Sequence, residues 1–167
     1  MTGATGHWRR MAAYNTAANR ILYDAVTRLP DEEYRRPRPA FFGSIHGTLN
    51  HILLGDLIWM ARFEDGSHPS TGLDAILHDD FAALRSARAT MDARIEAFVD
   101  QRVDDSFLAG AIRYVSNAGL EAEDPVAVLL PHFFNHQTHH RGQVHGLLSQ
   151  TAVPPPSLDL HRVLRPL

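Results

Sequence analysis

The sequence predicts an all-α chain folded as a four-helix bundle. Four long segments place apolar residues in steps of three and four, the repeat of a helix that buries one face. Turn-rich stretches of proline, glycine and small polar residues separate them. Apolar residues make up 44% of the 167, enough for one packed core, so residues 1–167 read as a single domain.

The first helix is predicted over His7 to Leu29, where Met11, Tyr14, Ala18, Ile21, Leu22, Ala25 and Leu29 keep the period and Pro30 stops it. Residues 31–43, with Pro37, Pro39 and Gly43, read as a loop. Ser44 is placed to cap a second helix running to Phe63. Its apolar face holds Leu49, Ile52, Leu53, Leu57, Met60 and Phe63, and Glu64-Asp65-Gly66 closes it. Residues 67–72 form another turn-rich connection.

A third helix is expected from Leu73 to Gln101. Ile76, Leu77, Phe81, Leu84, Met91, Ile95, Phe98 and Val99 trace its core stripe, and Arg85, Arg88, Asp92 and Glu96 its wet face. Between 105 and 123 the strand formers Phe107, Ile112, Tyr114 and Val115 precede Asn117-Ala118-Gly119, the composition of a short hairpin or an extended excursion. Asp124 then Pro125 offer a capping carboxylate and a first-turn proline to a fourth helix ending near Gln150. Pro131, inside that helix, predicts a kink or a broken first turn. The tail, 157–167, has room for one short helical turn.

Net charge is −3, which offers no basic face to a nucleic acid. Arg35, Arg36 and Arg38 form a cluster too short to change that, and read as a solvated loop rather than a phosphate site. No apolar run approaches the roughly 18–20 residues of a membrane span, and the start MTGATGHWRRM lacks the apolar core of a secretory signal. A soluble cytoplasmic protein is the resulting expectation. With no cysteine there is no disulfide and no thiolate zinc site, and any thiol chemistry needs a thiol from outside.

Five of the eleven histidines fall between positions 132 and 145. His132, His136 and His140 recur every four residues and so share one helical stripe, with neighbours roughly 5–6 Å apart at Cβ. Neutral imidazole is a preferred ligand for zinc, copper and nickel. His139 points about 100° from His140. Spacing alone does not choose between the pairs 132/136 and 136/140. A catalytic zinc takes three protein ligands and keeps a position open, so a third ligand should come from another helix. His51, beside Leu54 and Ile58, is the best candidate; taken alone it reads more simply as a hydrogen-bonded core histidine. His46 points roughly 140° away from it. His7, His68, His78 and His161 fall near the terminus, the loops or the tail.

The run HFFNHQTHHRGQVHGLL, residues 132–148, resembles the signature of the DinB family, small damage-inducible proteins of the DinB/YfiT-like superfamily. YNTAANRILYDAV (14–26), LPDEEYRR (29–36), FFGSIHGTLNHILLGDLIWMARF (41–63) and RYVSNAGLEAEDPVAVLLPHFFNHQTHHRGQ (113–143) follow the family's order and spacing. The resemblance implies a four-helix bundle, a homodimer, and a divalent metal ion, nickel or zinc, held by three histidines. Matched residue by residue, these are His51 and the pair that precedes Arg-Gly-Gln, His136 and His140. It further implies a metal-dependent enzyme of the thiol S-transferase or hydrolase type, taking a small-molecule substrate with a low-molecular-weight thiol as cosubstrate in the first case. The alternative is a non-catalytic metal- or small-molecule-binding bundle, its site closed by His132 or His139 as a fourth ligand.

Other residues near the stripe carry paired readings. Gln143 can orient a ligand or a bound water, or form a plain interhelical hydrogen bond; Asp56 can accept from an imidazole or sit exposed or ion-paired. Asn15 and Asn19 can face the pocket or pack between helices. Arg141 reads as pairing with an acid, Gly142 and Gly146 as permitting close helix approach, and Trp59 and Phe63 as core or dimer contacts.

Overall fold

The computed structural model describes residues 3–66 and 72–165. In chain order the elements are α1 (Ala4–Val26), α2 (Asp31–Arg35), α3 (Ile45–Glu64), α4 (Phe81–Arg102), α5 (Asp105–Leu108), β1 (Ala111–Val115), β2 (Glu121–Pro125), α6 (Val126–Leu148) and α7 (Leu160–Leu164). The four long helices make the bundle. α1 packs mainly on α4 and α6, and α3 packs on the same two. α1 and α3 therefore stand at opposite corners, as do α4 and α6. The chain crosses one diagonal after α1, carrying α2, and the other after α4, carrying α5 and an antiparallel β1–β2 hairpin. No helix among the described residues is long and apolar enough to cross a membrane.

The hairpin matches its expected composition, with Tyr114 opposite Ala122 and Gly119 supplying the positive φ of the turn. Ser44 caps α3 as expected: its Oγ accepts from the Gly47 amide at 2.9 Å. α1 ends three residues before the expected Leu29, within ordinary fraying. The tail forms α7.

Five expectations need correction. The stretch 31–43 is not all loop, because Asp31, Glu32 and Glu33 fill the first turn of α2 and pair with Arg35, Arg36 and Arg38. That pairing consumes the basic cluster. α4 begins at Phe81, not Leu73, with Asp80 accepting from the Ala83 amide at 2.7 Å. The residues before it are tied to α3 instead: Asn50 Oδ1 accepts from the His78 amide and its Nδ2 donates to the His78 carbonyl. Ile76 accordingly stays 47% exposed. The expected 67–72 connection lies, for residues 67–71, outside the described residues.

At the start of α6 the strand claims Asp124, whose carboxylate accepts from the Tyr114 hydroxyl, so Pro125 rather than Asp124 occupies the N-cap. Pro131 does not break α6. It removes one donor in the second turn, and the carbonyl left over, that of Ala127, belongs to an exposed residue that water can reach.

The last correction is the largest. Arg88 and Asp92, expected on a wet face, are 2% and 4% exposed. Arg88 bridges Asp56 of α3 and, at 2.9 Å, Asp92. Asn15 and Asn19 of α1 donate to Asp92, at 3.2 and 2.9 Å. Gln137 of α6 donates to Asp56 at 2.7 Å. Arg141, also on α6, donates to the carbonyl oxygens of Asn15 and Asn19 and lies over the Tyr14 ring. Its expected acid partner is thus replaced by two amides. All four long helices contribute to one buried polar network.

Removing one member strands the others. Arg88→Met should lower stability by about 3–5 kcal/mol, since two buried carboxylates lose their shared cation. Arg113→Met, which breaks an exposed pair with Glu123, should change it little. Urea denaturation of the two variants checks the contrast.

Candidate metal centre

α3 and α6 face each other along one seam, and histidines from both meet there. One ring nitrogen from each of His51, His136 and His140 lies within 4.8 Å of the others, and these three form the only such metal-competent group among the described residues. His51 Nε2 and His136 Nε2 stand 3.2 Å apart. Ring centroids are 4.4 Å apart for His136 and His140 and 4.5 Å for His51 and His140. The four-residue spacing puts His136 and His140 on successive turns of α6, and α3 supplies the third ring from across the seam.

The outward nitrogens are already engaged. His51 Nδ1 lies 2.8 Å from the Leu73 carbonyl oxygen, and His140 Nδ1 lies 2.8 Å from Gln143 Oε1. Both oxygens only accept, so both Nδ1 atoms carry the proton and both Nε2 atoms keep a lone pair. Gln143 is oriented for this by its other end, 3.2 Å from His139 Nε2. Histidines bound to metals commonly direct the second ring N–H to a carbonyl in this way. The donor set therefore fits a first-row divalent ion.

The electrostatics agree. Burial first, and then the neighbouring imidazoles, pull His136 down to about 3. Burial also lowers His51 and His140 below the ordinary imidazole value of 6.5, against the opposing pull of their hydrogen bonds to Leu73 and Gln143. All three rings are neutral at neutral pH, the form that binds metal.

Packing holds the rings in place. Phe42 stacks on His51 with centroids 3.7 Å apart and meets His140 edge-on at 5.5 Å. Gly55, one turn beyond His51, has no side chain because His136 occupies that space. A Cβ there would sit 2.6 Å from His136 Cε1. The expected close-approach glycines, Gly142 and Gly146, instead face open space. A glycine inside a helix, four residues after a candidate ligand, was the available signal. Nothing in the sequence announced the Leu73 carbonyl.

The other histidines stay apart from this group. His132 packs on Trp59 at 5.1 Å and lies 6.1 Å from His136, centroid to centroid. His139 is exposed and meets His140 edge-on. Neither joins the three as a fourth ligand. His46 turns to the His78 carbonyl, and His68 lies outside the described residues. Asp56 is fully buried and given to Arg88 and Gln137 rather than to an imidazole. Phe63 is core, while Trp59 is only partly buried and lines the cleft in front of the three rings.

Comparison with known proteins places this architecture. Protein DinB of Bacillus subtilis (strain 168) is 27% identical over 157 residues, covering 84% of this chain and 84% of that protein. The solved structure of YfiT from Bacillus subtilis, described as a probable metal-dependent hydrolase with an unusual four-helix bundle topology, aligns with a TM-score of 0.62 at 12% identity, over 90% of each chain. At that identity the likeness concerns the fold alone. The DinB family model matches residues 1–166, and the chain belongs to the DinB family.

Proposed function

We propose that the protein binds a divalent first-row metal ion, zinc or nickel, through His51, His136 and His140, and uses it to activate a water or a thiol. The reading is a metal-dependent hydrolase or thiol S-transferase. The observation that carries it is the pair of Nδ1–H donors fixed on Leu73 and Gln143, which leaves two Nε2 lone pairs on one side of the seam. A bound ion of this kind supplies Lewis acidity, lowering the pKa of a water or thiol in an open position. Leu73 and Gln143 hold the ring tautomers, Gly55 makes room for His136, and Phe42 covers one face of His51. Any thiol must come from solution, because the chain has none. The description of YfiT supports the hydrolase arm by analogy of fold. The homodimer is part of the same proposal and rests on family likeness; sedimentation velocity at micromolar concentration should show two chains per particle, and a monomer alone would remove it.

Metal titration of the apoprotein tests the site. Each of His51→Ala, His136→Ala and His140→Ala should weaken zinc and nickel binding by at least about tenfold. Wild-type affinity unchanged in all three variants would end the reading. Metal uptake without turnover of labile esters or thiol acceptors would favour a binding bundle instead.

Gly55→Ala separates room from ligation. Alanine favours a helix interior by about 1 kcal/mol over glycine, so the helix itself should tolerate it. The new Cβ must displace the His136 ring, and metal affinity should fall while circular dichroism stays unchanged.

The lowered imidazole values set a pH signature. Unfolded histidines take up protons near 6.5 and the folded three resist. Their contribution to stability is therefore present above 6.5 and lost as pH falls. The melting temperature of the apoprotein should drop on acidification below 6.5. Metal affinity should hold level through that same value, because the folded ligands are still unprotonated. A fall in affinity starting at or above 6.5 would contradict the assignment.

A further inference from the structure

The cleft in front of the three imidazoles has a chemical character of its own. It encloses about 340 Å³ and its walls are largely apolar: Phe41, Phe42, Ile58, Trp59 and Leu73. Phe41 is 85% exposed at the mouth and meets Phe42 edge-on at 4.9 Å. Trp59 stands on α3 two turns from His51, with His132 edge-on beside it. At the far end Arg62 is already committed: it donates to the Val115 carbonyl and to Asn117 Oδ1 and lies over the neighbouring Trp59 and Tyr114 rings. The Arg62 guanidinium at the polar end of the cleft is thus held from within. What remains for a ligand is a metal-facing head position and aromatic walls.

We propose that the ligand of this site carries an aromatic or flat apolar group next to its metal-binding atom, held between Trp59 and Phe41. The proposal rests on the metal reading above and adds the substrate class. Size agrees: a dry apolar cavity of about 150 Å³ accepts one benzene ring, so this cleft has room for a single ring and a short head group. The walls would take the ring by burying its faces and edges against Trp59 and Phe41, a mode of contact that rewards aromatic geometry beyond its area. A small hydrophilic ligand would leave both side chains wet and gain nothing from them.

Nickel-loaded protein titrated with benzyl mercaptan and with 2-mercaptoethanol tests this. The two thiols offer similar heads and differ in the attached group, and thiolate-to-metal charge-transfer absorption reports binding of either. Benzyl mercaptan should bind at least tenfold more tightly. Trp59→Ala should reduce that ratio below threefold, and Trp59→Phe should restore most of it. Phe41→Ser, at a position too exposed to threaten the fold, should also reduce it. Equal affinities in the wild type, or a ratio indifferent to both Trp59→Ala and Phe41→Ser, would overturn the proposal and leave the metal site standing. Failure to take up nickel would remove the metal reading, and this one with it.

Discussion

Asp56, Arg88, Asp92 and Arg141 put two carboxylates and two guanidinium groups inside the bundle, hydrogen-bonded to Asn15, Asn19 and Gln137. Such a cluster is a poor source of net stability. Charges leaving water give up several kcal/mol each in hydration, and their attraction recovers this only with good geometry. What the cluster does provide is intolerance of misalignment. An apolar core of leucine and isoleucine can accept small rotations of a helix. A buried guanidinium shared by two acids on different helices cannot, because any rotation strands a charge. Burial raises the pKa of Asp56, and pushes that of Asp92 up to about 6; Arg88 opposes both shifts, which shows how far these groups depend on their partner.

That constraint reaches the histidines directly. Asp56 follows Gly55, Gln137 follows His136, and Arg141 follows His140. Adjacent residues on a helix point about 100° apart. Fixing the inward residue of each pair therefore fixes where its neighbour points. α3 and α6 are clamped to α1 and α4 by the polar network, and the seam they share receives its imidazoles at a set angle. The network never touches the candidate metal site, yet the site's geometry follows from it.

Much of this was legible in the sequence. The four helices followed the spacing of their apolar residues, Ser44 announced its cap, and the DinB resemblance singled out the three histidines that the structure brings together. Three of the failures share a cause. Arg88 and Asp92 read as solvent-facing because single charged residues usually are; their burial is decided by Asp56 and Asn19, on other helices, 32 and 73 positions away. The stretch before Phe81 has apolar residues at helical spacing, but Asn50 offers its backbone hydrogen bonds from another helix, and local pattern loses to that. Asp124 had a capping role available and a strand partner that took it first. Each of these three misses is a polar contact with another element, which carries no periodic signature.

The same logic explains why the site's small details matter more than its ligand list. Three histidines near one another would, as bare side chains, take up each other's protons and settle as a hydrogen-bonded cluster. Here two of them have already spent their N–H groups on Leu73 and Gln143. At most one proton donor, on His136, remains to face the 3.2 Å gap to His51 Nε2. Burial makes adding another proton to this group unfavourable, since an imidazolium there would be poorly hydrated and adjacent to two further rings. A divalent cation satisfies all three lone pairs at once where a proton satisfies one. The seam thus disfavours the protonated state and presents three neutral imidazoles that a divalent cation would use, and that preference follows from a backbone carbonyl, a glutamine and a glycine as much as from the histidines themselves.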